Sequence, residues 1–165
     1  MKQVAITGGG GYIGGQTAIY FKEQGWEVTV VDRNNLPKRL EPFVDRFLHD
    51  EFHNEDALKQ YASVDTIIHC AGSSLVGPSI KNPSQYYENN SIATKRMLDH
   101  LCQYGYHPKV VFRSRSAVYG NPLAIPISKE DHKLPISPHG ILKHMVQQVI
   151  ETSSEAYGLH DAGLR

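Results

Sequence analysis

The sequence predicts an α/β fold: a doubly wound parallel sheet with helices on both faces. Three observations carry that prediction. Short apolar, β-branched runs alternate with helical stretches along the chain, the pattern that builds right-handed crossovers between parallel strands. Most of those runs are apolar at every position, as strands covered on both faces are. The first of them, Val4 to Thr7, passes straight into a glycine-rich turn, Gly8 to Gly14, that opens a helix.

The elements follow in order. A strand over Gln3–Thr7 is followed by a helix over Tyr12–Gln24, with Gly25 just past its end where a C-terminal glycine belongs. Gly8, Gly11 and Gly14 keep the spacing of loops that hold a dinucleotide pyrophosphate, except that the first gap is one residue wider than in G-x-G-x-x-G. Glycine lets the backbone approach a ligand closely. The helix start offers free N–H groups and the positive end of its dipole to an anion. The second strand, Glu27–Asp32, ends in an acid suitably placed for the hydroxyls of an adenine ribose. Strand, glycine turn, helix and acid-tipped strand together point to a nicotinamide or flavin dinucleotide.

A short strand Arg46–His49, a helix Glu55–Tyr61 and a strand Thr66–Cys70 come next. The long helix Pro83–Tyr104 is closed by Gly105, and Met97, Leu98 and Leu101 lie on it at core spacing. The strand Lys109–Ser114 leads towards residues 120–138, which hold four prolines and no periodicity. They read as a long loop, and loops of that length are usually functional or mobile. A last helix covers Pro138–Tyr157. Gly158–Arg165 reads as the approach to a further strand, so the expected architecture lacks whatever portion would grip a second substrate.

Composition narrows the function classes. At 165 residues the expectation is one domain, 1–165. Seventeen Lys and Arg balance seventeen Asp and Glu, so no global field recruits nucleic acid or an anionic membrane. No apolar run approaches the ~20 residues of a membrane span, and the N-terminus reads as a core strand instead of a signal peptide. Cys70 and Cys102 form an unpatterned pair, which fits buried thiols in a cytoplasmic protein. No metal site is expected: the stretch His49 to His53 lacks the glutamate that a zinc-protease helix places second, and it ends a strand. Lys38, Arg39 and Arg46 make at most a small solvated basic face, far short of the clustering that base recognition requires.

With these residues in view, the chain resembles the extended short-chain dehydrogenase/reductase family, and within it the UDP-glucose 4-epimerase branch. Five segments carry the likeness: Thr7–Gly14 (TGGGGYIG), Ile68–Ser79 (IHCAGSSLVGPS), Pro83–Asn90 (PSQYYENN), Ala117–Gly120 (AVYG) and Ser137–Lys143 (SPHGILK). It runs from Met1 to Arg165 and covers the N-terminal portion of such an enzyme. The resemblance implies a Rossmann-type domain that holds NAD. By it, Gly8, Gly11, Tyr12, Ile13 and Gly14 wrap the pyrophosphate. Asp32, with Asn35 nearby, holds the adenosine ribose, and an acid there disfavours the 2′-phosphate of NADP. Asp50 faces the adenine amine, Ala71 and Gly72 line the cofactor, Asn89 contacts it from the long helix, and Lys143 reaches the nicotinamide ribose. The family's chemistry is hydride transfer from C4 of a UDP-hexose to NAD and back to the other face. A tyrosine takes the hydroxyl proton, its phenol acidified by a neighbouring lysine, and a serine or threonine completes the relay. The resemblance also implies a homodimer through Pro83–Tyr104 and Pro138–Tyr157.

The catalytic positions depart from that pattern. In the family's Tyr-x-x-x-Lys motif, the tyrosine position is His139, while Lys143 remains. The serine or threonine position is Arg115. The position after Ser73, often lysine in epimerases, is Ser74, and the aromatic expected before Ala71 is Cys70. An imidazole has a suitable pKa for a base, but Arg115, Lys143 and an oxidised nicotinamide oppose a further cation. Its ring is also shorter than a phenol, and a misplacement of that size can cost ~10²-fold in rate. His139 is therefore expected as a non-catalytic surface or ribose contact. Arg115 is expected to fill or close the substrate pocket, with phosphate or carboxylate binding as the alternative. Ser114 and Ser116 cannot replace the hydroxyl, since strand neighbours point to opposite faces, and Tyr119 is expected to pack in its loop. The reading is an NAD-binding, epimerase-like isomerase homologue, truncated and catalytically impaired. Two alternatives stand beside it: an active epimerase completed by another chain or using His139, and a non-enzymatic module that senses NAD.

Overall fold

The computed structural model describes every residue except Ser74, Leu75, Leu123 and Arg165, and not the side chains of Val76 and Asp161. Expectations that fall on Ser74 and on the final Arg165 thus lie outside the described residues.

Six strands, β1 (Gln3–Thr7), β2 (Glu27–Asp32), β3 (Arg46–His49), β4 (Thr66–His69), β5 (Lys109–Arg113) and β6 (His160–Leu164), make one sheet in the order β3-β2-β1-β4-β5-β6. Every pair is parallel, with Thr7 opposite both Val31 and His69, and His69 opposite Phe112. The chain builds outward from β1 through β2 and β3, then returns across β1 to add β4, β5 and β6. The strand ends of β1 and β4 therefore part at a switch point, where open sheets of this kind bind ligands.

Both faces are covered, which is why the strands carry few polar residues. Val4, Ile6, Val28 and Val30 pack on one side with Ala18 of α1 (Tyr12–Glu23). Ala5, Val31, Ile67, Val110 and Phe112 face the other side. There they meet Leu58 and Tyr61 of α2 (Glu55–Tyr61), Met97, Leu98 and Leu101 of α5 (Ala93–Gln103), and Val146 and Ile150 of α6 (Pro138–Tyr157). Adjacent strand residues point to opposite faces, so Val4 and Ile6 serve one layer while Ala5 between them serves the other. Each such fully buried Val or Ile side chain contributes about 1.5–3 kcal/mol relative to exposure. Helix α6 starts sharply because the Ser137 hydroxyl accepts the Gly140 N–H at 3.1 Å and Pro138 supplies the first turn.

Three expectations change. The helix expected over Pro83–Tyr104 is α4 (Pro83–Tyr87), a π turn over Glu88–Ile92, and α5. The core positions legible in the sequence, Met97, Leu98 and Leu101, all lie after the extra residue, so their spacing alone does not reveal it. A short helix α3 (Val76–Lys81), not among the expected elements, precedes α4. The tail read as the approach to a strand is itself β6, paired with β5 from Lys109↔His160 to Arg113↔Leu164. His160–Leu164 has no β-branched residue, so only pairing with its neighbour makes it a strand. Among the described residues no helix is long and apolar enough to cross a membrane.

Candidate functional site

A cleft of about 680 Å³ opens over the switch point at the carboxyl ends of β1 to β5. Its floor is the turn between β1 and α1. Gly8 has φ +70°, and a Cβ there would stand 2.7 Å from the Cα of Ala71. A Cβ on Gly14 would stand 2.4 Å from the Gly8 carbonyl oxygen. Helix and loop can close together only without those side chains. Helix α1 has no acidic residue in its first turn and no side-chain cap, so its first N–H groups are left for an anion from outside. A pyrophosphate fits this cradle.

The β2 and β3 end of the cleft is acidic, with Asp32, Asp50 and Glu51 along it. Asp32 ties the turn to the strand: one carboxylate oxygen accepts the Gly10 N–H at 3.0 Å, the other the Asn34 N–H at 2.9 Å. Asp50 accepts the Glu51 N–H at 2.7 Å and is held by the Asn54 amide.

The β4 and β5 end is basic. Arg113 and Arg115 both line the cleft, beside Ala71, Gly72, Ser73 and Asn89. The Asn89 amide donates to the Ser73 hydroxyl at 3.3 Å. Lys143 reaches from α6 under β5, where its ammonium donates to the Arg113 carbonyl at 3.3 Å and lies 4.8 Å from the Phe112 ring centre. Burial, then the neighbouring Arg113 and Arg115, lower its pKa to about 8. One helical turn earlier, His139 is 1% exposed. Nη1 of Arg115 approaches its Nε2 at 3.4 Å. A guanidinium has no acceptor, so Nε2 accepts and the imidazole proton sits on Nδ1, which has no partner among the described residues. Burial, followed by Lys143, Arg115 and Arg113, lowers the His139 pKa to about 4.

Behind the glycine turn lies a relay that sequence reasoning missed. His69 of β4 is fully buried. Its Nδ1 is 2.7 Å from the Thr7 hydroxyl and its Nε2 is 2.9 Å from the Thr94 hydroxyl. Because the Thr94 hydroxyl donates to the Asn90 carbonyl at 2.6 Å, it accepts from Nε2–H, and Thr7 must then donate to Nδ1. Burial, with the Lys143 charge second, lowers the His69 pKa to about 3. The chain Thr7–His69–Thr94–Asn90 links the end of β1 to the π turn that carries Asn89. A polar residue at the end of each of two otherwise apolar strands, Thr7 on β1 and His69 on β4, was the available signal.

The structure brings together on the cleft Gly8, Gly11, Tyr12, Ile13, Gly14, Asp32, Asp50, Ala71, Gly72, Asn89 and Arg115. Asn35 does not line it; Asn34 does, because the turn after β2 folds its neighbour back onto Asp32. Lys143 and His139 lie behind the lining, not on it. The expected surface position of His139 is thereby corrected, since the start of α6 packs against the 3-10 turn Ser116–Tyr119 that follows β5. Ser114 is buried and off the cleft, and Tyr119 is packed, as expected. Arg113 was missed, although it stands two residues before Arg115 and the backbone between them is extended enough to bring both to the cleft. Among the described residues no three His, Cys, Asp or Glu side chains come together to hold a metal.

The sequence pattern of the NAD dependent epimerase/dehydratase family matches residues 4–165. A UDP-glucose 4-epimerase of Halalkalibacterium halodurans is 39% identical over 171 aligned residues, covering 98% of this chain and 49% of that relative. Among solved structures, UDP-glucose 4-epimerase from Brucella ovis in complex with NAD superposes with a TM-score of 0.91 at 30% identity, covering 100% of this chain and 51% of the other. The UDP-glucose-4-epimerase of Stenotrophomonas maltophila, with bound NAD and formylated UDP-arabinopyranose, gives 0.88 at 27% identity, covering 100% and 52%. The chain spans about half the length of the curated relatives it matches.

Proposed function

The chain belongs to the NAD-dependent epimerase/dehydratase family, and on that basis we propose that it is an epimerase-like domain that holds NAD but does not carry out the hydride exchange at C4 of a UDP-hexose. The observation that carries this reading is the pairing of Arg115 with His139. The one basic lone pair of the neutral imidazole is already taken by the guanidinium. At the positions where the family has a hydroxyl and a phenol, this chain has a cation and a buried, engaged ring. Neither can take a proton from a substrate hydroxyl in the cleft.

The residues for holding the dinucleotide are in order. Gly8, Gly11, Tyr12, Ile13 and Gly14 would cradle the pyrophosphate, Asp32 the adenosine ribose, Asp50 the adenine, and Ala71, Gly72 and Asn89 the nicotinamide half. Lys143, behind β5, would reach the nicotinamide ribose only by moving out from the Arg113 carbonyl. The whole of 1–165 acts as this single domain, in the cytoplasm. Pairing through α5 and α6 is supported by the partly exposed Ile141 and Met145, each 37% accessible, on α6.

Titrating NAD into the purified chain, and mixing it with UDP-galactose while following absorbance of the reduced ring, tests both halves. Binding without reduction is expected. No detectable binding removes the first half, and reduction that disappears in His139→Ala removes the second. Light scattering of the same sample checks the pairing.

A further inference from the structure

The cleft is charged unequally along its length. Acids stand at the β2 and β3 end, where Arg33 partly offsets Glu51 at 3.6 Å. At the other end Arg113, the last residue of β5, and Arg115, just beyond it, line the cleft, with Lys143 behind them. Among the described residues no carboxylate forms an ion pair with Arg113. Arg113 ends β5 and Arg115 lies two residues on in extended backbone, φ −154° and ψ 157°, so alternation carries past the strand end and the two side chains act on the same space. Their field reaches neighbouring groups, since both help to depress Lys143 and His139.

A dinucleotide on such a sheet lies across the switch point, with adenosine towards β2 and the redox ring towards β4 and β5. The oxidised nicotinamide ring carries a positive charge and the reduced ring carries none. In every other respect the two forms offer the cleft the same adenine, riboses and pyrophosphate. We infer that Arg113 and Arg115 make this cleft select the reduced dinucleotide over the oxidised one. The inference rests on the dinucleotide reading of the cleft given above. Repulsion between like charges in a half-open site is worth roughly tenfold in an equilibrium constant, and salt weakens it.

Calorimetry on the full chain with ADP-ribose, NAD and NADH tests it. ADP-ribose carries the shared part of the molecule without the ring. All three are expected to bind, with NADH about tenfold tighter than NAD at low salt and the gap closing in ~0.5 M salt. In Arg113→Gln/Arg115→Gln the preference is expected to fall to about twofold or less. Equal affinities, or tighter NAD, with ADP-ribose bound normally overturn the inference and leave the dinucleotide reading standing. A preference that persists in the double variant, or that salt leaves untouched in the unaltered protein, overturns its assignment to the arginines. Failure of all three ligands to bind overturns the dinucleotide reading itself.

Discussion

Arg115 Nη1 stands 3.4 Å from His139 Nε2, so a residue lining the cleft holds the lone pair of a residue buried behind it. Arg115→Ala should therefore raise the His139 pKa from about 4 towards, but not to, 6.5, because burial is the larger cause and remains. NMR titration of the His139 ring reads the shift. An unchanged midpoint would show that the guanidinium does not govern this imidazole.

Lys143 gives a stability prediction with a defined pH window. Its folded pKa of about 8 lies below the ordinary 10.5, so below pH 8 the fold carries a charged lysine that the unfolded chain solvates better. The penalty is full there and fades as pH rises from 8 to 10.5, where the unfolded chain binds more protons. Lys143→Met removes roughly 3 kcal/mol of that penalty and loses the Arg113 and Phe112 contacts, leaving a net gain of about 1–2 kcal/mol at pH 7. Urea unfolding at pH 7 and pH 10 checks it; a loss at pH 7 would refute it.

His69 and His139 act in the acid range. Both have folded pKa values below the ordinary 6.5, at about 3 and about 4, so each is neutral in the fold. Their contribution is complete above pH 6.5. It falls as pH drops towards 4, because the unfolded chain takes up protons that the fold refuses. With two groups the slope approaches about 2.7 kcal/mol per pH unit near pH 5. His139→Gln should halve that slope in urea titrations between pH 6.5 and 4.5. Equal slopes would mean that His139 is solvated.

Glycine positions separate the cradle from ordinary helix. At Gly14 an added Cβ meets backbone at 2.4 and 2.7 Å, so Gly14→Ala should lose more than about 2 kcal/mol and detectable dinucleotide binding together. At Gly77, in α3, no atom of the described residues lies within 4 Å of an added Cβ. Gly77→Ala should be neutral or stabilising by up to about 1 kcal/mol. Paired unfolding curves compare the two, and similar losses would count against the close-approach argument.

Much of this was legible in the residues. Val4 to Thr7 and Val28 to Asp32 announce buried strands because apolar side chains on both faces leave a signature that no loop has. Gly8 to Gly14 announces the cradle because few other backbones need so many missing Cβ atoms. What stayed hidden depends on contacts between distant segments. His160–Leu164 becomes a strand through β5. His139 is buried because the start of α6 docks on the turn Ser116–Tyr119 beyond β5. Arg113 joins the cleft because the extended backbone that continues past the end of β5 leaves it on the same side as Arg115. The His69 relay needs β1, β4 and the π turn at once, and no single stretch contains it.

The π turn at Glu88–Ile92 amounts to one residue more than a plain helix would use. Each residue turns a helix by about 100°, so that surplus sets the rotation of everything before it against everything after it. Asn89 looks into the cleft while Met97, Leu98 and Leu101 look into the core from what is otherwise one rod. Shortening the rod by one residue would leave the core half in register and swing the cleft half away. The chain's reading frame of faces, more than any side chain in this segment, is what such a deletion would erase.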